Sequence, residues 1–139
     1  MTELAPTPAP SLLDAWPYAG FLGVGAEIDG AALITVLPFS EDLIGNTVLP
    51  ALHGGVVGAF LELTALAQLS HVTGGATPRT VDITIDYLRP ARAVTTRASA
   101  QIIRLGRRVA NVHAVAWQSG PSQPVATLRG HFLVGGHAG

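Results

Sequence analysis

Cysteine and lysine are both missing from this chain of 139 residues. Without cysteine the chain has no disulfide, no thiolate metal site and no thiol nucleophile. Without lysine all eight cations are arginines, whose rigid forked head group suits phosphate and carboxylate. Charged residues make up only 12% and the net charge is -1. This balance argues against a general nucleic-acid binder, which needs a basic surface.

Apolar residues are abundant and make up 48% of the chain. A monomer of this size has too little interior to bury them all, so we expect a buried interface between subunits of a homodimer or a homotetramer. The composition predicts a flexible, Pro-rich tail over residues 1–10 and a single domain over residues 11–139. No cationic-then-apolar leader opens the chain, and Glu62 and Thr64 interrupt its longest apolar run. We therefore expect a cytoplasmic protein that does not enter a membrane.

One long helix is predicted from Gly54 to about Val72, ahead of the stop signal Thr73-Gly74-Gly75. Its apolar residues lie nearly all round, which predicts a helix wrapped by other elements. Before it, we expect a short helix that starts at Ser11 and is limited by Pro17 and Gly20. We then expect a strand pair or one bent strand over residues 24–38, broken at Asp29-Gly30. A loop is expected over residues 40–52.

Four further strands are predicted after the long helix, at residues 80–88, 94–105, 108–118 and 124–134. A strand pair, a long helix and then a meander of antiparallel strands indicate an α+β protein. A single all-round apolar helix with one curved sheet suggests that the sheet wraps the helix. This arrangement is the hotdog fold.

The motif of most interest is Leu52-His53-Gly54-Gly55, followed by Glu62 as the only acid between Leu49 and Ser70. The N–H groups at a helix N-terminus carry partial positive charge, and glycine lets a ligand approach the backbone closely. A donor pair followed by a lone carboxylate is typical of an acyl-transfer or hydrolase site. The alternatives are a tight helix entrance for the glycines, and a partly exposed or arginine-paired structural acid for Glu62.

Together with the run TVDITIDYLRPA at residues 80–91, this motif resembles acyl-CoA thioesterases of the phenylacetate-pathway (PaaI-like) group. That group belongs to the 4-hydroxybenzoyl-CoA thioesterase superfamily, and the resemblance covers residues 20–134. It implies hydrolysis of a thioester to a carboxylic acid and free coenzyme A. Coenzyme A is then part of the substrate, and no separate cofactor is expected.

The resemblance also implies roles for individual residues. A backbone N–H of Gly54 or Gly55 would polarise the thioester carbonyl, and Glu62 would act as general base or nucleophile. Thr80 would hydrogen-bond the acid or the water. The family commonly has Asn or Gln at the position of Thr47, so Asn46, one residue earlier, is the candidate helper.

His53 would orient its neighbours, although a structural histidine is an equal alternative. The other histidines show no ligand spacing with one another or with an acid, so we expect no metal site.

The spacing within the motif has a geometric consequence. Eight residues of helix span about 12 Å, and a glutamate side chain covers only part of that distance. Glu62 and the Gly54 N–H of one chain therefore cannot easily act on one carbonyl. We expect a homodimer, or a dimer of dimers, in which each site combines Gly54 of one chain with Glu62 of the other.

Arginines cluster at two places that suit the phosphates of coenzyme A. Arg89 and Arg92 flank Pro90, and Arg107 and Arg108 follow the Gly106 turn. Solvated charge at strand ends is the alternative for each of them. Two other functions also stay open: a non-catalytic acyl-CoA binder, and a hotdog dehydratase or hydratase, which Gly130-His131-Phe132 resembles only superficially.

Overall fold

The computed structural model describes residues 7–8, 10–29, 32–74 and 76–135. Its two α-helices are α1 (Pro17–Leu22) and α2 (Gly54–Val72). Its strands, in chain order, are β1 (Thr7–Pro8), β2 (Gly25–Asp29), β3 (Ala32–Leu37), β4 (Ile44–Asn46), β5 (Ala51–Leu52), β6 (Arg79–Tyr87), β7 (Thr96–Leu105), β8 (Val109–Trp117) and β9 (Pro124–Leu133). The predicted long helix, the 24–38 strand pair and the four later strands are confirmed, with ends within two residues of the prediction.

Helix α2 lies at the centre of the core. Phe60, Leu61 and Leu69 are completely buried, and the helix contacts β3 and all four later strands. By length and composition α2 could cross a membrane, but 61% of its most apolar window is buried inside the protein. Burial beneath the sheet accounts for its apolar composition, and the prediction of a wrapped helix is confirmed.

One antiparallel sheet wraps this helix, with the strand order β1-β2-β3-β7-β8-β9-β6. The predicted meander is therefore only partly right. Strands β7, β8 and β9 are sequential neighbours, but β6 pairs with β9 at the far edge and β7 pairs with β3. The segment 88–95 that joins β6 to β7 contains Pro90 and is too long for a tight hairpin, so it carries the chain across the sheet.

Two local predictions are wrong. The helix expected at Ser11 is a 3₁₀ turn over Pro10–Leu13, and α1 begins at Pro17, since proline at the first helical position needs no partner for its nitrogen. The stretch 40–52 is not a plain loop, because Glu41–Leu43 forms a 3₁₀ turn and β4 pairs with β5.

The predicted N-terminal tail is described only in part. Thr7 and Pro8 pair with Ile28 and Glu27 of β2 as an edge strand. Residues 1–6 and 9 of the predicted tail lie outside the described residues, and so does Gly30 of the predicted Asp29-Gly30 turn.

Candidate active site

His53 caps the N-terminus of α2. Its backbone is extended (φ -62°, ψ 133°), and the Gly55 N–H donates to its ring Nδ1 at 2.9 Å. The N–H of His53 donates to the Leu43 carbonyl at 2.8 Å, which ties the cap to the preceding turn. A ring nitrogen that accepts a hydrogen bond does not carry the proton, so this contact assigns the imidazole N–H to Nε2. His53 therefore holds the start of the helix through both its backbone and its ring.

Gly54 supplies the free donor at this helix end. The N–H groups of Val56 and Val57 donate to the His53 carbonyl, and that of Gly55 donates to the His53 ring. Among the described residues the Gly54 N–H has no hydrogen-bond partner, and Gly54 lines a cavity. The expectation that both glycine N–H groups face a ligand is therefore wrong for Gly55.

The cavity beside Gly54 has a volume of about 470 Å³, and it also touches Asn46, Leu49, Tyr87 and Arg89. A second cleft of about 230 Å³ shares Leu49 and Arg89 with it and extends to Arg92. The cavity and the cleft together form one continuous path from the free Gly54 N–H to two arginines. Four residues predicted from the sequence line this path: Asn46, Gly54, Arg89 and Arg92.

Asn46 shapes the loop at the mouth of this cavity. Its Oδ1 accepts hydrogen bonds from the N–H groups of Val48 at 2.9 Å and Leu49 at 3.2 Å, which is an Asx turn. Of the two candidates for the helper position, Asn46 lines the cavity and Thr47 is not among the lining residues. The side-chain oxygen of Asn46 is occupied by the loop, so only its NH₂ group is available to a ligand within the described structure.

Gln118 fixes the backbone at Arg92. Its Oε1 accepts from the Arg92 N–H at 3.0 Å, and its Nε2 donates to the Arg92 carbonyl at 2.9 Å. The Leu52 N–H also donates to the Ala91 carbonyl at 2.8 Å. The arginine-bearing segment is therefore anchored both to the residue that follows β8 and to the residue before the His53 cap. No pattern in the sequence indicated this role of Gln118.

Glu62 and Thr80 form the second half of the candidate site. The Thr80 hydroxyl donates to Glu62 Oε2 at 2.7 Å, and both residues are half-buried. Glu62 makes no ion pair within the described residues of one chain, so the alternative of an arginine-paired structural acid gains no support there. A half-buried carboxylate held by one hydroxyl keeps free lone pairs for a water molecule or a substrate.

A β-bulge turns Thr80 toward the helix. Strict alternation along β6 would place Thr80 on the outer face with Asp82, but the register between β6 and β9 shifts at Val81. Thr80 consequently pairs with the completely buried Phe132 on the inner face. Bulges re-aim side chains in this way next to functional sites.

Gly130 permits the close approach of β6 and β9 at the bulge. It pairs with Ile83, and a Cβ at this position would lie 2.5 Å from the Asp82 carbonyl oxygen. Backbone cannot yield as a flexible side chain can, so we attribute the glycine at position 130 to this approach.

The two halves of the site lie near opposite ends of β6, at the start and at the middle of α2. Strand β6 runs antiparallel to α2, so that Thr80 meets Glu62 at one end and Tyr87 meets Gly54 at the other. The structure keeps Gly54 and Glu62 apart within one chain, as their spacing along the helix predicts.

Tyr87 is a residue that sequence reasoning missed. Its hydroxyl donates to the Gly54 carbonyl at 2.6 Å, and its ring lines the cavity. In the sequence it reads only as the last apolar member of an alternating strand. The available signal was a polar-tipped aromatic residue at the strand end next to the arginines.

Arg107 and Arg108 do not join the arginine pair of the cavity. They lie at the turn between β7 and β8, where the Gly106 N–H donates to the Val109 carbonyl. Register across β8, β9 and β6 places this turn beside Arg79, at the start of β6. Within one chain the four arginines predicted to bind coenzyme A therefore form two separate groups.

His131 lies on the outer face of the sheet, away from α2. Its Nδ1 is 2.9 Å from Asp82 Oδ1, and this hydrogen bond holds the pKa of Asp82 below its usual value. The dehydratase-like reading of Gly130-His131-Phe132 gains no support from this position. In the described parts of the chain no three His, Asp or Glu side chains are grouped to hold a metal ion, and His137 falls outside those parts.

Known proteins resemble this chain in sequence and in fold. The model of the Thioesterase superfamily matches residues 49–125, which is more than half of the chain. No curated protein matches the sequence.

Solved structures share the whole architecture. A Chromobacterium violaceum protein is 36% identical, with 91% of this chain and 89% of that chain covered and a TM-score of 0.70. A phenylacetic acid degradation-related protein from Ralstonia eutropha is 28% identical, covering 86% and 90%, with a TM-score of 0.72.

A Bacillus halodurans protein crystallised with CoA is 23% identical, covering 84% and 77%, with a TM-score of 0.72, and at this identity it supports the fold alone. The matched motif region and the helix wrapped by its sheet lead to one conclusion: this chain belongs to the Thioesterase superfamily and has the hotdog fold.

Proposed function

We propose that this protein is an acyl-CoA thioesterase whose active site is shared between two copies of the chain. The observation that carries the proposal is the pair of half-sites, a free Gly54 N–H at one end of α2 and the Glu62–Thr80 pair farther along it. One half polarises a carbonyl and the other activates a nucleophile. Thioester hydrolysis needs both.

The free edge of β6 supports the sharing of the site. Strand β6 ends the sheet, and its outer edge has no partner strand among the described residues. Exposed apolar side chains follow this edge, with Val81 at 55%, Tyr87 at 56% and Leu88 at 53% exposure. A second copy that adds its own β6 covers both the unpaired backbone and the apolar surface.

Antiparallel pairing of two β6 strands joins complementary halves. A two-fold axis near Ile83 and Thr84 sets Thr80 of one copy opposite the Tyr87 end of the other, since neighbouring strands lie about 4.8 Å apart. Glu62 of one copy then faces Gly54 of the other. The same pairing brings the Arg107–Arg108 turn of one copy toward the Arg89–Arg92 segment of the other.

The proposed reaction follows from these groups. The thioester carbonyl accepts a hydrogen bond from the Gly54 N–H at the positive end of α2, which stabilises the negative charge that develops on its oxygen. Glu62 takes a proton from a water molecule, whose oxygen attacks the carbonyl carbon. Alternatively, Glu62 attacks directly and water releases the acyl group. As the C–S bond breaks, the protonated Glu62 returns the proton to the leaving sulfur, coenzyme A leaves as the thiol, and no separate cofactor takes part.

Arginines support coenzyme A as the carrier of the acyl group. Arg89 and Arg92 lie on the path that leads away from Gly54, and phosphate groups are matched by guanidinium forks. The remaining walls of the cavity near Gly54, at Leu52, Val57 and Val125, are apolar and suit an acyl group.

A thiol-release assay across short, medium-chain and aromatic acyl-CoA esters tests the proposed activity. We expect release of free coenzyme A from at least one ester, at a rate that rises with enzyme concentration. Retention of coenzyme A by the protein without release from any ester would contradict hydrolysis and favour the non-catalytic binder.

Mixed dimers test the sharing of the site. Glu62→Gln removes the base from one chain and Gly54→Pro removes the N–H donor from the other. In a heterodimer one of the two sites then regains both groups, so random mixing at equal amounts should restore about a quarter of wild-type activity. Mixed dimers that form, as shown by differently tagged chains, but stay inactive would show that each site belongs to one chain.

A further inference from the structure

Both ends of the peptide unit between Gly54 and Gly55 are held by side chains. Its carbonyl oxygen accepts from the Tyr87 hydroxyl at 2.6 Å, and its N–H donates to the His53 ring at 2.9 Å. The free Gly54 N–H belongs to the peptide unit directly before it. The two peptide units share the Gly54 Cα, so the contacts that hold the Gly54–Gly55 unit also limit the rotation of the Gly54 N–H.

The start of α2 needs such support because its first five residues include Gly54, Gly55 and Gly58. Glycine has more backbone freedom than any other residue, and the first turn of a helix lacks a full set of internal hydrogen bonds. A hydrogen-bond donor stabilises developing charge best when it is already oriented before the reaction. A helix start this rich in glycine does not supply that rigidity by itself.

The same glycines make room for the phenol. A Cβ at Gly54 would lie 3.5 Å from two ring carbons of Tyr87, and a Cβ at Gly58 would lie 3.2 Å from the Tyr87 hydroxyl oxygen. Because Gly54 and Gly58 are four residues apart, they lie on one face of the helix and form a shallow groove. The ring of Tyr87 lies in this groove, with its hydroxyl at the main-chain oxygen.

We propose that Tyr87 is a positioning residue of the thioesterase site, which holds the Gly54–Gly55 peptide unit so that the Gly54 N–H faces the cavity. This inference rests on the proposed function for its catalytic consequence. We call the hydrogen bond from the Tyr87 hydroxyl to the Gly54 carbonyl the clamp. The clamp is a property of the free protein and is measurable without any substrate.

Tyr87→Phe tests the inference, because it keeps the ring and removes only the hydroxyl. We expect kcat to fall about tenfold while KM stays within about twofold, since an oriented donor acts mainly on the charge that develops in the transition state. Tyr18→Phe is the matched control: Tyr18 stacks on Phe21 at the surface, and its kcat should equal that of the wild type.

Two further readouts separate positioning from a merely structural role. Backbone order parameters of the Gly54 and Gly55 amides should fall in Tyr87→Phe from about 0.85 toward 0.6. A ketone analogue of the acyl-CoA substrate, with methylene in place of sulfur, should bind with a lowered infrared C=O stretching frequency, because its carbonyl accepts from the Gly54 N–H. This lowering on binding should be smaller in Tyr87→Phe than in the wild type. The methyl group added by Gly58→Ala should displace the Tyr87 hydroxyl, so the single variant should have a lower kcat than the wild type. In the double variant Gly58→Ala, Tyr87→Phe, kcat should be no lower than in Tyr87→Phe alone, because the hydroxyl is already absent.

The outcomes are distinguishable from failure of the proposed function. If the wild-type protein releases no thiol from any ester, the proposed thioesterase activity is overturned. The order parameters of the Gly54 and Gly55 amides would still test whether Tyr87 holds the peptide unit. Unchanged order parameters in Tyr87→Phe overturn the clamp. Lowered order parameters with unchanged kcat in an active enzyme overturn its role in positioning the donor.

Discussion

Glu62→Gln should lower kcat for thioester hydrolysis by about 10²–10⁴-fold, the range that a positioned general base or acid contributes. The side chain of glutamine has the same shape, and its amide oxygen can still accept the hydrogen bond that Thr80 donates to Glu62 at 2.7 Å. The fold and the Thr80 contact therefore persist while the basic lone pairs of the carboxylate are lost. Steady-state thiol release measures this effect.

A matched control for this change is Glu27→Gln. Glu27 is partly buried in β2, and its ion pair with Arg97 is long, at 3.9 Å. The same loss of one negative charge, placed in β2 and not in α2, should leave kcat within about twofold, because a long and partly exposed ion pair contributes little. A Glu62→Gln variant as active as Glu27→Gln would remove Glu62 from the reaction.

Gly54→Pro should lower kcat by about 10²–10³-fold, which corresponds to the ~2.7–4 kcal/mol that one donor to a developing oxyanion contributes. Proline lacks the N–H, and the backbone at this position tolerates it. Gly54 is the first helical residue, where proline is favoured, and His53 already has the extended φ -62°, ψ 133° that must precede proline. The Gly54 N–H has no partner among the described residues, so its removal breaks no hydrogen bond.

Gly54→Ala is the comparison that isolates the N–H. Alanine keeps the donor and adds a Cβ that meets the ring of Tyr87 at 3.5 Å, an ordinary contact distance. We expect Gly54→Ala to retain most of the activity. Equal losses in both variants would indicate that space beside Tyr87, and not the hydrogen bond, is what Gly54 provides.

Secondary structure was the part most accessible from the sequence. Helix α2 and the later strands carry strong periodic patterns that end at glycine and proline signals, and each was located within two residues. The His53 motif and Glu62 could be singled out as well, because a lone acid in an apolar helix is chemically conspicuous. Their separation also followed from the fixed rise of an α-helix.

Strand order and the orientation of Thr80 were not accessible in the same way. The meander prediction failed for β6 because pairing between distant strands depends on how the whole sheet closes around α2. Thr80 points inward only because of the bulge at Val81, and Gly130 permits the close contact there. A bulge is a property of two paired strands, and a pattern read along one strand does not contain it.

The sequence by itself determined the wrapped helix, the motif that begins it and the distance between Gly54 and Glu62, since these depend on local periodicity and helix geometry. Only the tertiary structure decided that His53 occupies the Gly55 N–H, that Tyr87 holds the Gly54 carbonyl and that Thr80 holds Glu62. Two of these contacts join residues 18 and 33 positions apart in the chain. Such contacts form only when the sheet brings β6 against the helix, and the chemistry of the site depends on them.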